Sequence, residues 1–299
     1  MKDTETPKYI IFNSIGSLEK DLIGTAVVHS IKQQYKNHSI IVVSNNPDVW
    51  LHNPSVYRVY RVGNLPYFYD DYVKDRESVI FWQDPYATDD YLQRRKHIIE
   101  IWCELCGVQY RKTKPQLFFT QREQEVTKKM LGLDKPSRPI FVIQTHTENA
   151  PEIPYFWTRD IPTKIAREVV SEMMARGYYV LHLRFGKEAV LPGTESLNLS
   201  IRQMFCAINF ADARLLINSF APHVSAALGK RSVVFWVAQN PVIAGYPINR
   251  NLVPDSDSKL GQYVSEFNEN FASDEDRMQA PLAVEDYYSS SEIVNLLTL

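Results

Sequence analysis

The sequence predicts an α/β protein built from two parallel-sheet halves, and three observations predict it. Short apolar, β-branched runs alternate with helical stretches along the whole chain. A Pro- and Ser-containing segment near the middle is followed by a restart of that alternation. The 299 residues exceed one comfortable core but suit two domains of about 100 to 200 residues each.

Residues 9–12 form a short apolar run that enters the turn Asn13-Ser14-Ile15-Gly16-Ser17, which reads as a buried strand feeding a loop. Over 21–35, Ile23, Val27 and Ile31, with Leu22, Ala26 and Tyr35 alongside, recur at three- and four-residue spacing, so this stretch is read as a helix. The run 40–44 is again β-branched. Strand, helix and strand in close succession make a βαβ unit and start a parallel sheet. Further strands are expected at 56–62, 79–83 and 116–119, with a helix over 89–106. Thr120 and Glu123 have capping-box spacing for a helix ending near Gly132, and 133–139 has linker composition. The boundary falls there, giving domains 1–136 and 137–299. The second half repeats the pattern: strand 140–144, helix 161–176, strand 178–183, helix 199–209, strand 215–218, helix 222–228 and strand 232–237. The stretch 251–285 is polar with weak periodicity, and 291–297 reads as a terminal helix.

Composition narrows the function. Hydrophobic residues at 44% and charged residues at 23% fit a globular protein and argue against disorder. The formal charge of -2 supplies no general attraction to nucleic acid, so any polyanion must be met locally. No run of residues has the length of an apolar span, and the polar start MKDTETPKYIIF is unlike a secretory signal; a cytoplasmic protein is expected, with peripheral membrane contact as an option. Cys103 and Cys106 form a CxxC late in an apolar helical run, with no second pair for zinc, which favours core packing over redox chemistry.

Open parallel sheets bind ligands at the carboxyl ends of their strands, so two such halves are expected to face a central cleft. The loops to search are 13–21, 145–147 and 218–223. The segment Asn218-Ser219-Phe220-Ala221-Pro222-His223 leads from a strand into a small-residue helix, where free N–H groups, a hydroxyl and an imidazole suit a diphosphate; an ordinary turn beside a satisfied histidine fits the same residues. Asp21 in the first turn of its helix can act as a general base or can simply complement the positive helix end. The loop NSIGS matches neither GxGxxG nor GxxxxGK[ST], which argues against dinucleotide redox chemistry and triphosphate hydrolysis.

Two segments carry a family resemblance. The stretch IIFNSIGSLEKDLIGTAVVHSIKQQYKNHSIIVVSNNPDVWLHNPSVYRV is similar to the N-terminal part of ADP-heptose:lipopolysaccharide heptosyltransferase-like proteins. The stretch ADARLLINSFAPHVSAALGKRSVVFWVAQNP resembles that family's strand, turn, histidine, Ala-rich helix and final strand. The resemblance implies the GT-B fold and inverting transfer of a sugar, heptose or another, from a nucleotide-diphosphate donor. By position it makes Asp21 the base that deprotonates the acceptor. It gives Asn218, Ser219, Ala221 and His223, with Thr145 and His146, to the donor phosphates, and Glu188 to the nucleotide ribose. No cofactor is expected, the sugar nucleotide (ADP-heptose or another) being substrate, and the loops facing the expected cleft contain no DxD for a metal.

The chain also departs from the family pattern. Lys20 precedes Asp21 where the family has Gly, Asn218 replaces an Asp, and Phe220 replaces a Gly, whose freedom to take positive φ a Phe lacks. The family's Lys before a Trp is missing from Tyr155-Phe156-Trp157, leaving Arg159 or Lys164 as substitutes.

The acceptor is expected on the N-terminal half, at Ser14 and at the basic group Arg94, Arg95 and Lys96, although a solvated helix face explains the charges equally. Asp70-Asp71 and Asp89-Asp90 are adjacent pairs with no DxD spacing. The partners expected are a sugar nucleotide and a glycan or glycolipid. The alternatives are transfer to a modified nucleobase in DNA, nucleic acid being the less favoured partner, and a non-catalytic sugar-nucleotide-binding or scaffold protein with a decayed site.

Overall fold

The computed structural model describes residues 7–133, 138–147, 156–184, 188–196, 199–265, 268 and 271–299. Its contacts divide into two units, residues 1–91 with 96–120, and residues 92–95 with 121–299.

In the first unit, β1 (Lys8–Ser14) and β2 (Ser39–Ser44) are apolar along their length and buried on both faces, as expected of inner parallel strands. With β3 (Arg58–Arg61) and β4 (Glu77–Phe81) they form a parallel sheet of order β3-β2-β1-β4. Helix α1 (Leu18–Gln34) starts three residues before the expected position, because Ser17 caps it by accepting from Lys20 N at 3.2 Å. Gly24 lets α1 lie close to β1: a Cβ at that position would sit 3.1 Å from Ser14 Oγ and 3.3 Å from Phe12 and Trp50. The short helix α2 (Phe68–Tyr72) covers the other face, where Ile11, Ile41, Val43, Tyr60 and Tyr72 pack together.

Two expectations fail in this unit. The single helix over 89–106 is two pieces, α3 (Asp89–Leu92) and α4 (Ile98–Leu105). Arg94 takes φ 52° between them, and His97 caps α4 by accepting from Ile99 N at 3.2 Å. Residues 116–119 form no strand; Gln116 N instead donates to Thr25 Oγ1 of α1 at 2.8 Å. Cys103 and Cys106 are buried free thiols, pushed up by burial to about 11 and about 12, which is the core role expected.

In the second unit, β5 (Ile140–Ile143), β6 (Tyr179–His182), β7 (Ala213–Ile217), β8 (Val233–Phe235) and β9 (Arg250–Leu252) form a parallel sheet of order β6-β5-β7-β8-β9. The weakly patterned stretch after residue 250 therefore opens on a strand; Arg-Asn-Leu offers one apolar side chain and so no sequence period. Helix α5 (Gln121–Met130) packs on α7 (Ile201–Phe210), with Glu123 taking both Nε and Nη2 of Arg202 at 2.9 and 3.1 Å. That pairing puts α5 in the second unit, so the contact division falls at 120/121, earlier than the linker-based 136/137. Residues 134–137 of that linker lie outside the described residues. Helix α6 (Thr163–Ala175) buries Ile165, Val169 and Met173 against Phe141, Leu215 and Ile293. Helices α8 (Phe220–Ala227), α9 (Pro241–Ala244), α10 (Asp274–Met278) and α11 (Ser290–Thr298) complete the unit, α11 being the expected terminal helix.

Candidate functional site

In the first unit lies Asp21, the base expected from the sequence. Its carboxylate is fully buried beneath the segment that follows β2, with Oδ1 accepting from Trp50 Nε1 and Oδ2 from Asn46 Nδ2, each at 2.9 Å. Trp50 sits against α1 and Phe12, so the closeness that Gly24 permits also brings the indole to the carboxylate one turn earlier. Burial pushes Asp21 up from 3.8 to about 6, and hydrogen bonds from Asn46, Trp50, Ser44 and Ser14 only partly offset it. The helix-end role weighed in the sequence does not account for these bonds, since two side chains distant in sequence hold the carboxylate.

Lys20, where the family has Gly, is largely buried. Its amine lies 3.1 Å from Asp84 Oδ2 and over the rings of Tyr86 and Trp102 at 5.8 and 5.7 Å. Its stem fills the space beside Gly16, whose φ of 155° requires glycine.

In the second unit a polar network joins the carboxyl ends of three strands. Glu188 Oε1 lies 2.8 Å from His146 Nδ1 and 3.0 Å from His182 Nε2, and it accepts from the Thr145 hydroxyl. Thr145 and His146 follow β5, and His182 ends β6. Gln144 extends the network, donating from Nε2 to His146 O at 3.0 Å and accepting from Ser219 Oγ at 2.8 Å at the start of α8. Burial alone would raise Glu188, but the hydrogen bonds and charges of His146 and His182 more than offset it and hold the carboxylate well below its ordinary range. Asp160 is also buried, and 4.0 Å separates its Oδ2 from His146 Nε2. Burial prevails there and pushes it up to about 6. Two buried atoms in these segments have no protein partner among the described residues, His182 Nδ1 and Asp160 Oδ1; Asn218 Oδ1, at the end of β7, is a third.

Thr145, His146, Glu188 and Ser219, expected from the sequence, thus share one network, and Gln144, Asp160 and His182 join them unforeseen. For Gln144 and His182 the signal was a polar residue closing an apolar strand, Phe-Val-Ile-Gln and Tyr-Val-Leu-His; Asp160, in the turn before α6, had none. Phe220 raises no conflict of φ, since it is the first residue of α8 and packs on Phe205. Asn218 Nδ2 donates to Gln239 Oε1. The start of α8 offers fewer amides than its sequence suggested: Pro222 has none, and Ala221 N donates to Ser219 Oγ at 3.4 Å. Ala221 is buried, and His223 is buried with Nδ1 2.6 Å from the Tyr246 hydroxyl. Of the two cations considered as substitutes for the missing lysine, Arg159 adjoins the loop, 3.4 Å from Thr147 Oγ1, whereas Lys164 pairs with Glu285 at 2.9 Å.

The residues expected to meet an acceptor divide between the two units. Ser14 is buried against Gly24. The Lys96 amine is held by Asp90 at 3.0 Å and by Glu104 at 2.8 Å, which raise its affinity for the proton. Arg94 and Arg95 group with the second unit, Arg94 Nη2 donating to Ala238 O at 3.2 Å. Among the described residues no group of three or more His, Cys, Asp or Glu side chains is arranged to hold a metal ion, and no helix is long and apolar enough to cross a membrane.

The chain matches no protein-family model and no curated protein. Solved structures do match it. ADP-heptose lipopolysaccharide heptosyltransferase II of E. coli superposes with a TM-score of 0.64 at 13% identity, over 88% of this chain and 97% of that one. A family 9 glycosyl transferase from Veillonella parvula gives 0.68 at 11% identity, over 99% and 97%. The E. coli heptosyltransferase TibC, dodecameric and iron-containing and in complex with ADP-D-β-D-heptose, gives 0.64 at 15% identity, over 100% and 76%. With its two parallel α/β sheets, the chain has the fold of these glycosyltransferases.

Proposed function

We propose that the protein is a glycosyltransferase that moves a sugar from a nucleotide-diphosphate donor to a hydroxyl of a glycan or glycolipid, with inversion and without a metal. The observation that carries this reading is the convergence of Thr145, His146, Glu188 and Ser219 in one polar network at the carboxyl ends of β5, β6 and β7. That is where open parallel sheets take nucleotides. The fold shared with heptosyltransferases, one of them in complex with ADP-heptose, supports the same reading.

In this reading the second unit takes the donor. The start of α8 and the Arg159 guanidinium oppose the charge that grows on the leaving diphosphate, and the Thr145–Thr147 loop orients it. The first unit takes the acceptor, and Asp21 is the base. The acceptor oxygen forms its bond to the anomeric carbon as the carbon–oxygen bond to the diphosphate breaks, so one displacement inverts the centre. The proton passes to Asp21, and the nucleoside diphosphate leaves with the electron pair. Trp50 holds Oδ1 from the core, so the hydroxyl must reach Oδ2 by displacing the half-exposed Asn46 side chain. A carboxylate held at about 6 is ionised at neutral pH and more basic than a free one, which suits that task.

A thermal-shift screen across sugar nucleotides, followed by measurement of nucleoside diphosphate release with glycan acceptors, tests the reading. Stabilisation by one donor class and release dependent on acceptor are expected. Absence of stabilisation by every nucleotide diphosphate would remove it.

A further inference from the structure

We propose that His182 is a positioning residue for the nucleotide-diphosphate donor, fixing Glu188 and the Thr145–His146 loop to the sheet from inside. The inference rests on the donor reading above and adds to it a residue that no part of that reading uses.

Three groups converge on a single atom, Glu188 Oε1: the Thr145 hydroxyl, His146 Nδ1 at 2.8 Å and His182 Nε2 at 3.0 Å. Two of them ride on the loop that follows β5. Only His182 belongs to a strand, paired in register with Ile143 of β5, and its side chain has no exposed surface. It is therefore the member whose position the sheet dictates. An ionised carboxylate can only accept, so Nε2 carries the hydrogen. Nδ1 is buried without a protein partner among the described residues, so Nε2 is the ring nitrogen that ties the strand to the network. The ring is thus aimed at one oxygen.

The consequence reaches the start of α8. Thr145 Oγ1 lies 3.1 Å from His182 Nε2, His146 O accepts from Gln144, and Gln144 accepts from Ser219. Removing the imidazole donor frees Glu188 and loosens the β5 loop. A hydrogen bond to a buried carboxylate is worth enough that its loss should cost about tenfold in donor affinity.

Calorimetry with ADP, UDP and GDP on wild type, His182→Phe and His182→Gln tests this, together with steady-state kinetics using the donor that the screen identifies. His182→Phe should weaken the preferred nucleoside diphosphate about tenfold and raise donor KM equally, leaving kcat and acceptor KM within about twofold. His182→Gln, whose amide N–H replaces the Nε2–H, should restore affinity to within about threefold of wild type. If His182→Phe does not fold, His182→Asn, whose amide falls short of Glu188, takes its place. Wild-type affinity in the donor-less variant, or failure of glutamine to rescue it, overturns the inference while leaving the donor reading intact. Failure of the wild type itself to bind any of the three nucleotides overturns both.

Discussion

Asp21 in the first unit and Glu188 in the second are both carboxylates withdrawn from water where parallel strands end, and their surroundings drive them in opposite directions. Asp21 is held by neutral donors, an indole and an amide at 2.9 Å, and burial pushes it up to about 6. Glu188, less completely enclosed, is held by two imidazoles and a hydroxyl, and it falls below its ordinary range although burial alone would raise it. Asp160 sharpens the contrast. Its imidazole neighbour stands 4.0 Å away rather than at hydrogen-bond distance, and burial prevails there too, at about 6. Of these three buried acids, the one that keeps its charge cheaply is the one touched by donors able to carry charge. The second unit holds its carboxylate firmly ionised; the first holds one whose affinity for the proton is raised.

The largest effect that bears on this comparison is expected from Asp21→Asn. Turnover should fall by about a hundredfold or more, as loss of a general base entails. The fold should gain roughly 1–2 kcal/mol at pH 8, because the buried charge is gone. The raised value fixes the sign: the ionisation penalty is complete above about 6 and vanishes as pH falls toward 3.8. Denaturation at pH 8 and pH 4 should therefore show the gain at pH 8 alone, and an unchanged rate would leave Asp21 a purely structural acid.

Glu188→Gln comes next, with the opposite sign. It should cost about 2 kcal/mol at neutral pH. Because the wild-type value is depressed, its contribution is present above the ordinary 4.5 and lost below it, so variant and wild type should converge in acid. A variant as stable as wild type at pH 7 would mean that the histidines do not favour the charge. The smallest effect is expected from Trp50→Phe, which removes one donor from Asp21 and should move the acid limb of kcat/KM upward by about one pH unit. A limb that stays in place would assign that ionisation elsewhere.

Both sheets were legible in the sequence where strands are continuous apolar runs, as in β1, β2, β5 and β7. Failures arose where one residue outweighed the period. Arg94 at φ 52° splits a helix that apolar spacing would have continued, and Arg250-Asn251-Leu252 joins a sheet with a single apolar side chain to mark it. In the site, Thr145, His146 and Glu188 could be named singly, but His182 could not, because a histidine closing the run Tyr-Val-Leu reads as a strand end. Its partner lies six residues on, and the geometry that joins them comes from β5. Trp50 and Asn46 escaped for the same reason, being brought to Asp21 by the path of the chain after β2.

Position 24 shows how narrow these margins are. With a hydrogen atom as its side chain, α1 rests on the first strand close enough for the Trp50 indole to meet Asp21 at bonding range. One methyl group there would have to be accommodated by shifts of a few tenths of an ångström in the serine, phenylalanine or tryptophan around it. The indole that holds the acid one turn away thus owes its seat to a residue that has no side chain with which to touch it.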